Sequence, residues 1–473
     1  MSKHSYRQDR DEIKALLQQF DNLKTGKSNS YLEEESFERL IEYFDEKEQV
    51  HQALEVAEYG IRQFPYSSAL LLQKADLLIA TRQYREALYI LEEAELLDGH
   101  DISLYILKTD AYLALDQQEK AATVLEAALQ DFDGEEKIDL LFELADVYDD
   151  YENFEKVFDC LKMILEQEPN NEEALYKICF WTDFTGRNEE GIRLHQEIIE
   201  QFPFNELAWF NLGAAYQGLK LYEKAIDAYQ YAVAIDEKFD YAWRNMGDAL
   251  IRLRRYKEAV EVLEKVLELA RPEDVIYEAI GHCYDKMGSF AQARFNYKKA
   301  SHLNNEDSQL FYKIACTYMN EGNWQSAIRY LESAMKQHKM QPEYNLAMGQ
   351  CFMELNKLED AITYFGNVVR VRPKNTNGWI ELLKCFFKAG LFDDALEYAG
   401  FAYEQTDAKP IFLFYKSAAL YGLGKSKEAL LQLEEGMTRN PKLIKKFIEL
   451  NPSILQNQQV VDVIARFRKK KSI

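Results

Sequence analysis

The chain contains 473 residues with only 20 glycines and 9 prolines, so no flexible or proline-rich linker divides it into separate globular domains. Its formal net charge is −23, and the whole excess lies in the first part: residues 1–200 contain 20 Lys and Arg against 46 Asp and Glu, and residues 201–473 contain 37 against 34. Such a field argues against nucleic acid and anionic lipid as partners and favours a basic protein or peptide, with an acidic surface that only maintains solubility as the alternative.

The sequence shows no sign of a membrane span or a cleaved secretion signal. The polar stretch Met1–Arg10 continues into residues 11–20 without an apolar core, and no run approaches the roughly 18 apolar residues of a span. The six cysteines include no CxxC pair, and five of them fall where small side chains pack in a helix. We therefore expect a cytoplasmic protein.

The first predicted element is a helix near Arg10–Asn22 within the polar segment 1–33. From residue 34 a column of small residues recurs every 34 positions, with one step of 36 between Ala121 and Val157. Repetition at this period is typical of stacked helix pairs in one elongated array. The column consists of Ala53, Ala87, Ala121, Val157, Gly191, Ala225, Ala259, Ala293, Ala327, Ala361, Ala395 and Ala429.

Residues 207–238 show one period most clearly. Bulky and small side chains recur at helical spacing from Trp209 to Tyr216, and a second stripe of this kind runs from Ala225 to Ala232. The pattern predicts two antiparallel helices joined by a short turn. The two extra residues of the long step predict a loop insertion near Asp131–Glu136, and helices near Leu443–Leu450 and Asn457–Lys469 are predicted after the last period.

This pattern resembles the tetratricopeptide repeat family, whose sequence of Trp, Leu-Gly, Tyr, Ala, aromatic and Ala is met from Trp209 to Ala232. The resemblance implies an all-α, right-handed α-solenoid superhelix of about twelve helix-turn-helix units with capping helices at both ends. It divides the chain into a polar segment and capping helix at 1–33, twelve units at 34–442, and capping helices with a basic tail at 443–473. The units start near 34, 68, 102, 138, 172, 206, 240, 274, 308, 342, 376 and 410.

Some units depart from the family pattern. Lys74, Lys108 and Lys416 stand where a buried leucine is usual, which indicates slightly rotated helices or packed lysine stems. The unit at 172 is the weakest. His195 replaces its second-helix aromatic residue and is interpreted as a core residue, whereas His282 remains free to touch a partner.

Three motifs suggest other chemistry. Residues 419–426 fit a loose phosphate-binding loop, but such a loop needs a preceding strand, and here it falls in the turn of the last unit. Residues 131–134 lack the later glutamate of a calcium loop. The basic run 466–471 is interpreted as a solvated tail, with docking to acidic protein or to an anionic surface as alternatives. We predict no catalytic residues, no cofactor and no metal site.

In the family, first helices line a concave groove that holds a peptide or a partner helix. The resemblance places acids and aromatic rings of this chain on that face, a combination suited to Lys, Arg and apolar side chains. The alternatives are acids that only solvate the surface and aromatics that belong to the core. Later positions that would suit a carboxylate clamp are Arg244, Asn245, Lys313, Lys384 and Lys388. The candidate groove residues are Glu38, Glu42, Asp110, Asp139, Phe142, Asp146, Asp149, Tyr176, Phe180, Phe210, Tyr241 and Arg244.

The sequence therefore predicts a non-enzymatic scaffold or adaptor that binds a protein or peptide in this groove. One alternative is a regulatory peptide sensor whose superhelical pitch changes when the ligand binds. A third interpretation, an ATP-binding enzyme acting through residues 419–426, is disfavoured. The sequence leaves self-association open.

Overall fold

The computed structural model describes residues 3–25, 31–336, 338–450 and 452–469. Within these ranges the fold is all-α and contains no β-strand, as the sequence predicted. Residues 26–30 of the predicted N-terminal segment and residues 470–473 of the predicted basic tail lie outside them. None of the described helices is both long enough and apolar enough to span a membrane.

The chain forms two compact units, Met1–Asn245 and Met246–Ile473, and each consists of helices packed against their neighbours in sequence. The boundary falls within α14 (Asp240–Arg252). The first unit contains α1 (Lys3–Lys24), α2 (Glu34–Asp45), α3 (Val50–Gln63), α4 (Ser68–Ala80), α5 (Tyr84–Leu97), α6 (Ile102–Ala114), α7 (Gln118–Ala128), α8 (Glu135–Asp150), α9 (Phe154–Gln167), α10 (Glu172–Phe184), α11 (Asn188–Gln201), α12 (Glu206–Gly218) and α13 (Tyr222–Ile235).

The second unit continues the same alternation of helices and ends in two short helices with 3-10 turns at Pro441–Leu443 and Pro452–Gln456. Its helices are α15 (Tyr256–Leu269), α16 (Asp274–Lys286), α17 (Phe290–Leu303), α18 (Ser308–Asn320), α19 (Trp324–Met335), α20 (Pro342–Glu354), α21 (Leu358–Val371), α22 (Thr376–Ala389), α23 (Phe392–Gln405), α24 (Ile411–Gly422), α25 (Ser426–Arg439), α26 (Ile444–Leu450) and α27 (Gln458–Lys469).

One type of turn joins the two helices of each pair from α2–α3 to α24–α25. A residue with positive φ follows the first helix, and the next N–H commonly donates back to a carbonyl of that helix, as Gln83 does to Leu78 at 2.8 Å. The recurrence of this turn shows that the sequence period is a structural period. The positive-φ residues are Glu48, Arg82, Asp116, Glu152, Gly186, Lys220, Arg254, Gly288, Gly322, Asn356, Gly390 and Gly424.

In each pair, one residue of the first helix lies opposite one residue of the second helix, and we name these two residues the crossing pair. A Cβ added to Gly213 would lie 2.6 Å from the Tyr229 ring, so a large second-helix residue needs glycine opposite. Gly281 with Tyr297 and Gly349 with Phe365 repeat this combination. Where the second-helix residue is leucine, a small residue stands opposite, and in two pairs the large residue is on the first helix. Examples are Ala75 with Leu91, Ala145 with Leu161, Gly247 with Leu263 and Ala315 with Leu331, and, with the large residue on the first helix, Ile41 with Ala57 and Leu383 with Ala399.

Within the first unit, most neighbouring first helices lie closer together than neighbouring second helices do. In the first unit α2 packs on α4, α4 on α6, α6 on α8 and α10 on α12, whereas no two consecutive second helices pack to this extent. Packing between α8 and α10 is looser. The first-helix side is therefore the inner side of this unit.

The predicted capping helices pack against the terminal pairs. On α1, Phe20 is buried with its ring centroid 5.6 Å from that of Tyr59 and 6.4 Å from that of Phe37. At the other end, apolar residues of α26 and α27 form one cluster with residues of α24 and α25. We retain the twelve-unit division as a proposal, and the longer connection from α7 to α8 accommodates the two extra residues.

The lysines that depart from the family pattern differ in environment. Lys108 is buried and its ammonium lies 2.6 Å from the Glu95 carboxylate. Lys416 lies over the Tyr403 ring at 5.0 Å, and Lys74 is half-buried. These lysine stems therefore take part in packing, as one of the two interpretations proposed.

The fifth pair, α10–α11, has an unusual core. Its second-helix crossing residue is His195, which is fully buried, and neither ring nitrogen has a hydrogen-bond partner among the described residues. Burial lowers the pKa of His195 to about 3, so the ring is neutral at physiological pH. Most other pairs place leucine here. This leucine set is Leu91, Leu125, Leu161, Leu263, Leu331 and Leu433.

We expect Gly349→Ala to destabilise the second unit by about 1–3 kcal/mol, because its Cβ would lie 2.6 Å from the Phe365 ring. Gly366→Ala, in the same pair, has no atom within 4 Å of its Cβ and should stabilise by about 0.5–1 kcal/mol. Adding Phe365→Leu to Gly349→Ala recreates the Ala315 and Leu331 combination and should recover stability. Chemical denaturation of Gly349→Ala, Gly366→Ala, Phe365→Leu and the double variant measures this, and additive losses in the double variant would contradict the crossing-pair rule.

We expect His195→Leu to remove an acid sensitivity of the fold. A histidine whose folded pKa is depressed contributes no penalty above pH 6.5, and stability falls as pH drops from 6.5 towards 3 because only the unfolded chain takes up the proton. At pH 5 this amounts to about 2 kcal/mol. Melting curves from pH 7.5 to 5 should show the gap between variant and wild type widening. His51→Gln, on the exposed surface, serves as control, and a constant gap for His195→Leu would refute the assignment.

Candidate functional site on the first helices

A line of carboxylates crosses the inner side of the first unit, and we name Asp45, Asp76, Asp110 and Glu143 the acidic row. Desolvation and then the charge of Asp45 raise the pKa of Asp76, and desolvation and then Asp76 raise the pKa of Asp110. Desolvation, followed by Asp110, also raises the pKa of Glu143. Each carboxylate is therefore close enough to influence the next. Among the described residues, Asp76, Asp110 and Glu143 have no ion-pair partner within 4 Å.

The predicted residues of α2 extend this acidic surface. Glu42 is exposed, and Glu38 is half-buried. Desolvation, followed by the charges of Glu34, Glu42 and Glu35, raises the pKa of Glu38. These side chains therefore share one face of α2.

Part of the predicted site on α8 is already occupied by a lysine of the same chain. Asp139, Asp146 and Asp149 are exposed, but the Lys177 ammonium lies 3.6 Å from Asp146 and 3.0 Å from Glu173. It also lies 5.0 Å from the centre of the Phe142 ring. The chain's own lysine thus occupies the combination of carboxylates and aromatic ring that was expected to attract a partner's cation.

An exposed row of rings runs along α10, and we name Tyr176, Phe180 and Phe184 the aromatic stripe. Their side chains are 63%, 59% and 56% exposed. They are spaced by four residues, so they lie on one side of the helix. Tyr176 and Phe180 were predicted as groove residues, whereas Phe184 was not.

The last three predicted residues are not brought together with the acidic row. Phe210 is half-buried, with its ring 5.0 Å from Phe239 and 5.8 Å from Tyr229, so its main contacts are packing contacts. Tyr241 is exposed, and the Arg244 guanidinium lies 3.2 Å from Asp240 and 6.0 Å from the Tyr241 ring.

The clamp candidates of the second unit also have internal partners. Lys313 forms an ion pair with Glu278, Lys384 lies 2.9 Å from Glu381, and Lys388 donates to the Met353 carbonyl at 3.0 Å. A clamp would have to break these contacts. His282, in this unit, is half-buried.

The residues that fitted a phosphate-binding loop end α24 and begin α25. Gly424 is the positive-φ residue of the turn, and the Lys425 N–H donates to the Leu420 carbonyl as in the other pairs. No strand precedes it in the described part of the chain. Asp131 and Asp133 are exposed beside buried Phe132, and the described residues contain no group of three or more His, Cys, Asp and Glu placed to hold a metal ion.

In the basic run 466–471, Arg466 forms an ion pair with Glu434 at 3.0 Å. Residues 470 and 471 lie outside the described part of the chain.

Three family models match the chain. Residues 213–346 match the C-terminal ARM domain of tetratricopeptide repeat protein 21, and residues 184–238 and 342–375 match two tetratricopeptide repeat models. The chain therefore contains tetratricopeptide repeats. None of the curated proteins compared with this repeat protein matches its sequence.

Solved structures of repeat proteins also match. The C-terminal part of a repeat-containing protein from Cytophaga hutchinsonii is 17% identical, with 54% of this chain and 99% of that chain covered and a TM-score of 0.44. The APC/C hetero-tetramer Cut9–Hcn1 is 14% identical over 89% and 97% of the two chains, with a TM-score of 0.36. YrrB, described as having an unusual peptide-binding site, is 18% identical over 39% and 95%, with a TM-score of 0.35.

We expect Asp110→Asn to stabilise the first unit. A raised carboxyl pKa means that the folded chain binds the proton more tightly than the unfolded chain, so the charged row destabilises at neutral pH and this penalty is relieved as pH falls. Because Asp110 is exposed, solvent screening limits the gain to a few tenths of a kcal/mol. Melting temperatures at low and high salt measure it, with Glu119→Gln on α7 as control. A lower melting temperature for Asp110→Asn at low salt would contradict mutual repulsion within the row.

Proposed function

We propose that this repeat protein is a non-enzymatic cytoplasmic scaffold or adaptor, and that the inner side of its first unit binds a basic segment of a partner protein. The observation that carries the proposal is the acidic row. Three successive first helices present Asp76, Asp110 and Glu143, whose raised pKa values reflect desolvation and mutual repulsion. A partner's Lys or Arg would relieve that repulsion.

Lys177 supports this choice of partner chemistry. Its ammonium is held by two carboxylates, Asp146 and Glu173, above the ring of Phe142. Carboxylates continue from Glu143 onto α6 and α4 as Asp110 and Asp76, and among the described residues no lysine pairs with them. A cation supplied by a partner would find comparable carboxylate ligands there.

Helix spacing limits the form of the partner segment. Neighbouring packed helices lie about 8–10 Å apart, so cations must recur at that interval to meet carboxylates on successive helices. A polyproline II segment advances about 3.1 Å per residue and returns to the same side every third residue, about 9.3 Å on. We therefore expect an extended segment with Lys or Arg at every third position.

The test uses a labelled nine-residue peptide with arginine at every third position and measures its affinity by fluorescence anisotropy. Asp76→Asn/Asp110→Asn should weaken binding about five- to ten-fold at low ionic strength, with a smaller effect at high salt. The matched control is Glu92→Gln/Glu119→Gln, which removes the same charge from second helices. Equal losses in both variants would mean that only net charge attracts the peptide, and unchanged affinity would remove the acidic row from the proposal.

A further inference from the structure

Among the described residues, no helix or loop covers the aromatic stripe on α10. Tyr176, Phe180 and Phe184 each expose more than half of their side chains, although three neighbouring exposed rings are unusual on a soluble surface. Such a patch, when rimmed by polar residues, is typical of a protein interaction site.

The rings of the stripe are held in place from below. Phe154 of α9 stacks on Trp181 with ring centroids 5.3 Å apart and meets the edge of Phe184 at 4.9 Å. Phe180 lies 4.9 Å from Trp181 and 5.6 Å from Phe184. A partner would therefore meet rings that are already ordered, which reduces the entropy lost on binding.

The stripe runs along the axis of α10, and this direction favours a helix as the partner segment. Its three residues span eight positions, or about 12 Å, along the axis of α10. An extended segment that crosses the first helices would pass only one or two of the rings. A helix lying along α10 would contact all three through apolar residues spaced by three or four.

The charges on either side of the stripe differ. The register positions of Phe180 and Phe184 are occupied on α8 by Asp146, which already pairs with Lys177 at 3.6 Å, and by Asp150. Asp149 is also exposed there. The same positions on α12 are Ala214 and Gly218, which carry no charge. Because α8 and α10 pack loosely, the acidic flank borders the more open side of the stripe.

We propose that the aromatic stripe binds an amphipathic partner helix whose apolar face covers Tyr176, Phe180 and Phe184 and whose Lys or Arg residues face α8. The proposal rests on the scaffold function proposed above and names a second part of the partner, distinct from the extended basic segment at the acidic row.

The probe is a labelled 18-residue helical peptide with leucines along one face and lysines on one flank, compared with a peptide of the same residues carrying two central prolines. Phe180→Gln/Phe184→Gln should bind the helical peptide about ten-fold or more weakly than wild type. Phe204→Gln, at a ring 82% exposed in the loop after α11, should leave affinity unchanged. The proline peptide should bind wild type about ten-fold more weakly, because proline breaks its helix.

A second pair of variants tests the acidic flank. Asp149→Asn/Asp150→Asn should weaken the helical peptide several-fold at low salt, whereas Asp131→Asn/Asp133→Asn removes the same charge from the α7–α8 connection and should not. On wild type, the bound peptide should slow amide exchange in α10 but not in α24, a measurement that needs no variant.

Equal affinity of the two peptides, or unchanged binding by Phe180→Gln/Phe184→Gln, would overturn the proposal. Failure here is distinguishable from failure of the scaffold function. Suppose that Asp76→Asn/Asp110→Asn weakens binding of the arginine peptide while Phe180→Gln/Phe184→Gln leaves the affinity for the helical peptide unchanged. Only the helix proposal is then lost.

Discussion

The reciprocal fit of the crossing pair is the constraint on which the repeat structure depends. Two helices joined by a short turn must approach closely, and the space between them admits one large side chain from either helix but not from both. Gly213 with Tyr229 and Leu383 with Ala399 are opposite solutions of the same volume requirement. Packing is thus settled within each pair and between neighbouring pairs, so the core continues along the helices as a series of clusters.

Local packing also frees the first-helix face for other uses. Because the core consists of contacts within a pair and between neighbouring pairs, the residues on the inner side are not needed to hold the array together. The acidic row occupies that side, and desolvation together with a neighbouring carboxylate raises the pKa of Asp76, Asp110 and Glu143. Carboxylates placed where they repel one another favour a binding role over mere solubility.

The period and the alternation of small and bulky residues were sufficient to predict the helices, because helix pairing depends on spacing that a linear sequence displays. The repeat spacing does not predict which side chains of different helices contact one another. Lys177 is distant in sequence from Phe142, so its position above that ring was not foreseen, and Phe210 was assigned to the groove although its ring packs on Phe239. Phe184, four residues after Phe180, could have been found by extending the same helical spacing. Glu143 follows Phe142 directly in the sequence. It could have been added to the groove residues by working out which face of α8 it lies on.

The pair α10–α11 departs from the repeat pattern in two ways, with polar residues in its core and aromatic residues on its surface. The core of the pair contains Thr182 and the buried ring of His195, whereas the opposite surface of α10 exposes Tyr176, Phe180 and Phe184. A sequence selected only for stability would place the aromatic rings inside and the polar groups outside. The hairpin with the weakest family pattern therefore also carries the exposed aromatic stripe, and local conflict of this kind is expected where binding rather than packing determines the residues.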